Sequence, residues 1–345
     1  MTLLREGRGP NPLAGFQVDP AAIRMVGIDL QRPECILAER DGTLWSADAR
    51  GGVVRIDPDD TQTLVTQAPD PHFDLSASAA DSLLTGTLPN GLAFAANGDI
   101  LISNFGTDRL ERMTRSGETR VILDRIEGRP MGKVNFVLRD RRDRIWITVS
   151  TMVNPWSDAI RQGLADGCII LLDERGPRIV ADGLHFANEI RFDAAEEWLY
   201  VAETTARRVT RFRVAADGAL IDREIYGPAS LGTGMIDGIT FDAYGNLWAT
   251  MIFADRLIAL TPEGDVLTLL DDGDPAGTTA LEAAFATGAP VPFDTLMLSG
   301  GTICPWLASV TFGGPDLCTA YLGGLRATRI PAFASPVAGL PMVHW

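Results

Sequence analysis

Histidine and cysteine are scarce in this chain, and positive charge is in deficit. Its 345 residues include three histidines and four cysteines, and 45 acidic residues outweigh 30 basic ones, giving a formal net charge of −15. Three scattered histidines (His72, His185, His344) exclude a clustered His-rich zinc site. The cysteines Cys35, Cys168, Cys304 and Cys318 form no Cys-x-x-Cys pair and sit mostly inside hydrophobic runs, which reads as free buried thiols in a reducing compartment. The acidic balance argues against nucleic acid as a partner, because phosphate-backbone binding draws on a Lys/Arg surplus. No apolar stretch of about 18 residues occurs, and residues 1–8 lack the apolar core of a secretory signal. The expectation is therefore a cytoplasmic protein with no membrane partner, acting on a small molecule. There is no Gly-x-Ser-x-Gly nucleophile motif either. With 46% hydrophobic and 22% charged residues, the chain is nonetheless well able to form a core.

What the sequence does contain is a repeat. Six times a short polar or acidic residue opens an apolar run: Glu34-Cys-Ile-Leu, Asn90-Gly-Leu-Ala-Phe, Asn135-Phe-Val-Leu, Asn188-Glu-Ile-Arg-Phe, Asp237-Gly-Ile-Thr-Phe and, less regularly, Ser309-Val-Thr-Phe. A second run follows about ten residues later, beyond a turn such as Asp41-Gly42 or Asn97-Gly98, so each pair reads as an antiparallel hairpin. Third and fourth runs complete four strands per unit, the pattern of a propeller blade. The sixth unit ends its third run, Leu325–Ile330, at Pro331 and shows no fourth. The run Ile23–Ile28 can supply that strand and close the ring, which removes open sheet edges. The expected fold is an all-β, six-bladed propeller with four antiparallel strands per blade, closed by an N-terminal strand. Residues 23–345 would form that single domain, and residues 1–22 an N-terminal extension.

Three segments depart from the blade pattern: residues 67–89 with His72 and Phe73, residues 150–166 with Met152, Trp156 and a helix-like Ser157–Gln162, and residues 273–306 with an Ala/Glu-rich helical stretch. Insertions on one face of a propeller often build a pocket. Trp45, Trp146, Trp198 and Trp248 recur at one hairpin position and read as packing between blades. His185 is read as a loop residue near the site, and His344 as structural.

In a propeller the opening residues converge on the axis, so Glu34, Asn90, Asn135, Asn188, Asp237 and Ser309 form a ring of carboxylate, amide and hydroxyl oxygens. Such ligands suit calcium, and also manganese or magnesium. Asp48, Asn104, Ser150, Glu203 and Thr250, at the ends of the second strands, fall close behind. The alternative is that Asn90-Gly91 and Asp237-Gly238 are ordinary turn residues.

Several segments together resemble the SMP-30/gluconolactonase/LRE-like family: Arg32-Pro-Glu-Cys-Ile-Leu with Asp41-Gly-Thr-Leu-Trp, Asn188 before its hairpin, Ile236-Asp-Gly-Ile-Thr-Phe with Gly245-Asn-Leu-Trp, Ser309-Val-Thr-Phe-Gly-Gly-Pro-Asp, and Ser335-Pro-Val-Ala-Gly-Leu-Pro-Met. The resemblance implies one catalytic divalent cation on the axis, calcium first, with manganese, magnesium or zinc as substitutes. It places the metal ligands at Glu34, Asn188 and Asp237, a substrate- or water-contacting amide at Asn135, and the general base at Asp237. Family lactonases commonly carry Arg-x-Asn-Asp-Gly-Lys-Val around the third-blade Asn, where this chain has Lys133-Val-Asn135-Phe136. Lys133 keeps a charge without the guanidinium fork. Asn90, His72 and Trp156 complete the expected substrate contacts.

These features point to a metal-dependent hydrolase that opens a lactone or similar cyclic ester. Two other classes stay open: a non-hydrolytic propeller enzyme resembling strictosidine synthases, and a binding or regulatory propeller stabilised by metal.

Overall fold

A computed structural model describes residues 9–67, 83–84 and 86–345. Six four-stranded antiparallel sheets stand around one axis. The inner strands are Ile36–Ala38, Pro89–Phe94, Val134–Arg139, Ala187–Phe192, Met235–Phe241 and Leu307–Gly313. Each touches the inner strand of the next blade, and that of blade 1 touches those of blades 2 and 6, so the ring is closed. These strands are almost wholly buried. The fourth strands face solvent, and no residue of Gln62–Thr66 or Leu220–Tyr226 is buried. Closure comes from Arg24–Val26, which pairs antiparallel with Ile330–Ala334. An all-β propeller closed by the N-terminal strand is thus the architecture.

Blade 6 corrects one strand. Its third strand is Ile330–Ala334, while Leu325–Arg329 lies outside it. Pro331 pairs with Met25 within the strand. It has no N–H to give, but it does not end the strand as its sequence position suggested.

A recurrent device fixes the hairpins between inner and second strands. Trp146 Nε1 donates to Asp140 Oδ2 at 2.9 Å, Trp248 Nε1 to Asp242 Oδ2 at 3.0 Å, and Trp45 Nε1 to Glu39 Oε2 at 2.7 Å. Each indole is fully buried and its acid lies six residues earlier, so burial of a large aromatic leaves no orphaned N–H. Trp198, half-buried, is instead covered by Arg211, 4.3 Å from its ring.

Two insertions fold over one mouth of the ring. Residues 150–166 contain a short 3₁₀ turn, Trp156–Ala159, and residues 273–306 contain helices α1 (Pro275–Phe285) and α2 (Phe293–Met297). Asp274 caps α1 by accepting from Gly277 N at 2.6 Å, and Pro275 opens it. Leu281, Phe285, Leu296, Trp156, Ile160 and Trp306 pack there into one apolar cluster with Phe105, Phe186 and Phe253 from the blades. The other mouth is covered by the C-terminal segment, where His344 Nε2 lies 3.0 Å from Ala38 O and its ring packs edge-on against Phe94. No helix among the described residues is long and apolar enough to cross a membrane.

Candidate functional site

The inner strands are irregular at the residues singled out by sequence. Register shifts fall between Pro89 and Leu92, Val134 and Phe136, Ala187 and Ile190, and Ile236 and Ile239. Those gaps contain Asn90, Asn135, Asn188 and Asp237. A bulge re-aims a side chain that the pleat would otherwise send into a neighbouring blade.

Hydroxyls from the second strands hold the bulges. Thr250 Oγ1 accepts from Gly238 N at 2.8 Å and lies 2.8 Å from Ala308 O of blade 6. Ser103 Oγ lies 2.9 Å from Gly91 O and 2.8 Å from Asn135 O. Ser150 Oγ donates to Ala187 O, and Glu203 accepts from His185 N. Asn104 and Asp48 tie down the loops before Asn90 and Glu34 through Leu88 N and Gln31 N.

The Asn-Gly and Asp-Gly pairs are settled by the same geometry. Gly91 and Gly238 lie inside strands without positive φ. A Cβ on Gly91 would stand 2.7 Å from Phe136 Cα, and one on Gly238 would stand 2.5 Å from Ala308 O. Glycine is there because the next blade is too close, so the turn reading does not hold.

The bulged residues open into a narrow cavity. Its polar floor is Arg32, Glu34, Asn90, Asn135, Asn188, Thr204 and Asp237. Phe105, Trp156, Ile160, Phe186, Ile252, Phe253 and Leu325 form the apolar wall. Trp156 is anchored by Nε1 donating to Leu83 O at 2.9 Å and packs edge-on against Phe105 and Phe186.

Of the residues named from sequence, Glu34, Asn90, Asn135, Asn188, Asp237 and Trp156 come together here. Lys133 does not line the cavity. Its ammonium pairs with Asp108 Oδ1 at 3.0 Å, beneath the ring of Phe105. His72 and Phe73 lie outside the described residues. Met152 is exposed, and Ser309 donates to Glu34 O without lining the cavity. Sequence reasoning missed Arg32, Thr204, Ile160 and the wall residues Phe105, Phe186, Ile252, Phe253 and Leu325. Phe105 directly follows the second strand of blade 2, and Ile252 and Phe253 end and follow that of blade 5, a positional signal that was available.

Four buried oxygens on this floor make no hydrogen bond: Glu34 Oε2, Asn135 Oδ1, Asn188 Oδ1 and Asp237 Oδ1. Glu34 Oε2 does face Arg32 Nη2 at 3.0 Å, as an ion pair. Buried polar atoms without partners are rare because each loses its hydration for nothing in return. Burial pushes the Glu34 carboxyl up to about 7, against the pull of Arg32 and Asn90. Asp237 is pushed well above the usual carboxylate range, by burial first and then by the charges of Glu34 and Glu189. Among the described residues no three His, Cys, Asp or Glu side chains cluster. The set is two carboxylates and two amides, hard oxygen donors that fit a calcium-like cation.

The chain is 24% identical over 176 residues to the 6-deoxy-6-sulfogluconolactonase of Pseudomonas putida, covering 50% of this chain and 49% of that protein. The chain thus spans about half the length of that relative. In fold it resembles a gluconolactonase from Xanthomonas campestris, with a TM-score of 0.63, 19% identity and coverage of 94% of both chains. It also resembles the calcium-binding protein regucalcin from Agrobacterium tumefaciens, with a TM-score of 0.62, 14% identity and coverage of 91% and 92%. A sequence model of the SMP-30/gluconolactonase/LRE-like region matches residues 32–276, so the chain belongs to that family.

Proposed function

We propose that the protein hydrolyses a lactone or similar cyclic ester with the help of one divalent cation, calcium first. The observation that carries this reading is the convergence of three unpartnered buried oxygens, on Asn135, Asn188 and Asp237, with the buried Glu34 carboxylate, whose Oε2 meets Arg32 alone, in one cavity with an apolar wall. Glu34, Asn188 and Asp237 would hold the cation, with Asn135 beside it. When bound, a divalent cation polarises an ester carbonyl and makes water more acidic. The sulfogluconolactonase relative, the gluconolactonase fold neighbour and calcium-binding regucalcin support both halves of the reading.

The chain's own residues supply the rest. Asp237, desolvated at the end of its bulge, takes the proton of the attacking water as the new C–O bond forms at the carbonyl. When the ring C–O bond breaks, that proton passes to the leaving alkoxide, leaving a hydroxy acid. Asn90 and Asn135 orient the substrate's polar edge. Phe105, Phe186, Phe253 and Trp156 exclude bulk water and favour a less hydroxylated ring than gluconolactone. A cytoplasmic small-molecule role is the setting proposed for this chemistry, within a domain of residues 23–345.

A chelator-and-add-back screen against sugar, aliphatic and aromatic lactones tests the reading. Hydrolysis should vanish on chelation and return with calcium, manganese, magnesium or zinc. Full activity in chelator would overturn metal dependence, and inactivity on every ring class with metal present would overturn lactone hydrolysis.

A further inference from the structure

Arg32 is the residue of this cavity that the lactonase reading leaves without a task. Its side chain is 6% exposed. Nη1 donates to Pro89 O at 3.1 Å, and Nη2 donates to Asn90 Oδ1 at 2.7 Å while facing Glu34 Oε2 at 3.0 Å. Nε is buried and has no partner. The backbone at Arg32 is in the left-handed region, φ 58°, where non-glycine residues are held only when the surroundings demand it.

A charge balance shows what such a group is for. The cavity floor carries Arg32, Glu34 and Asp237. The nearest other charges are self-paired: Lys133 with Asp108 at 3.0 Å, and Glu189 with Arg191 at 2.9 Å. A divalent cation on Glu34 and Asp237 cancels both carboxylates. Arg32 then competes with that cation for Glu34 and is left, always protonated, as an unmatched positive charge against an apolar wall. A neutral lactone does not relieve this, whereas a substrate bringing its own anion does. Nη1 and Nη2 are committed to Pro89, Asn90 and Glu34, and the unused Nε–H is the charge-assisted donor that suits an oxyanion.

We propose that Arg32 selects lactones bearing a fixed oxyanion group, carboxylate or sulfonate, on an otherwise apolar body. This rests on the lactonase reading above and names its substrate class.

The test compares, with calcium-loaded protein, a matched set of aromatic lactones bearing a carboxylate, a sulfonate or a neutral methyl ester. Binding of the corresponding non-hydrolysable lactams is measured in parallel by calorimetry. Wild type should favour at least one anionic member over the neutral ester by about a hundredfold in kcat/KM, the scale of leaving a buried charged donor unpaired. The carboxylate and sulfonate arms show which oxyanion Arg32 prefers. Arg32→Gln should narrow the ratio to within about threefold and abolish lactam-anion binding, while Arg32→Lys should retain part of it. Should Arg32→Gln not fold, the wild-type ratio and Arg32→Lys still decide. Equal turnover of neutral and anionic lactones by wild type, or an equal loss on both in Arg32→Gln, would overturn the inference and leave lactone hydrolysis standing. Arg32-dependent binding of the lactam anions without turnover of any lactone would support the anion site and remove the hydrolase reading.

Discussion

Thr250 and Gly238 are joined by a hydrogen bond of 2.8 Å from the glycine N–H to the threonine hydroxyl, which also lies 2.8 Å from Ala308 O in the next blade. One side chain on the second strand of blade 5 thus fixes the bulge that presents Asp237 and locks it to blade 6. Thr250→Val keeps the shape and removes the acceptor, stranding a buried N–H, at a cost of about 1–3 kcal/mol. The thermal midpoint should fall by several degrees, and calcium affinity should fall with it because Asp237 loses its support. A variant with unchanged midpoint and affinity would show that the hydroxyl does not hold the site.

Gly238→Ala is expected to be far more damaging than its one methyl group suggests. The new Cβ would meet Ala308 O at 2.5 Å and Ser309 Cα at 2.6 Å, both on the backbone of blade 6. Relief requires the two blades to part, so overpacking of about 1–3 kcal/mol is a lower bound. Urea unfolding against wild type checks this, and a midpoint within error of wild type would refute the close-approach account.

The metal-free protein should lose stability as pH rises through the weakly acidic range. Burial raises both Glu34 and Glu189 to about 7 from an ordinary 4.5. The folded chain therefore holds protons that the unfolded chain has released, and stability falls between those values before levelling off above about 7. A bound cation favours the ionised form of Glu34. Calcium should accordingly raise the thermal midpoint more at about pH 7.5 than at about pH 5. An equal response at both would contradict the assignment of Glu34 as a ligand.

Trp156→Ala should reduce kcat/KM on an aromatic lactone by about tenfold or more, since the indole supplies much of the apolar wall and each Å² buried is worth about 25 cal/mol. Gluconolactone turnover should suffer less. A wild-type preference for gluconolactone, untouched by the substitution, would show that the wall does not choose the substrate.

The ring of opening residues is legible in the sequence because a polar residue heading an apolar run, repeated blade after blade, marks one equivalent position on the axis. Glu34, Asn90, Asn135, Asn188 and Asp237 all line the cavity for that reason. Lys133 is misplaced by the same logic, because neighbours along the chain are not neighbours in space at this point. The register shift between Val134 and Phe136 isolates Asn135, and Asp108, from the blade before, captures the lysine. Arg32 is silent in the sequence, since an arginine before proline reads as surface charge. Its burial depends on Pro89 and Asn90 of a different blade. The third strand of blade 6 is hidden because Pro331 is normally a strand breaker, and only its pairing with Met25 shows how it is accommodated.

The central claim is that the buried oxygens of Glu34, Asn135, Asn188 and Asp237 converge to hold one divalent cation. Calorimetric titration of calcium into chelator-treated protein, with wild type, Glu34→Gln and Asp237→Asn side by side, tests it most directly. The account predicts one site per chain in wild type and a loss of about a hundredfold or more in affinity in each variant. Saturable binding that both variants leave unchanged, or no binding by folded wild type, would contradict it.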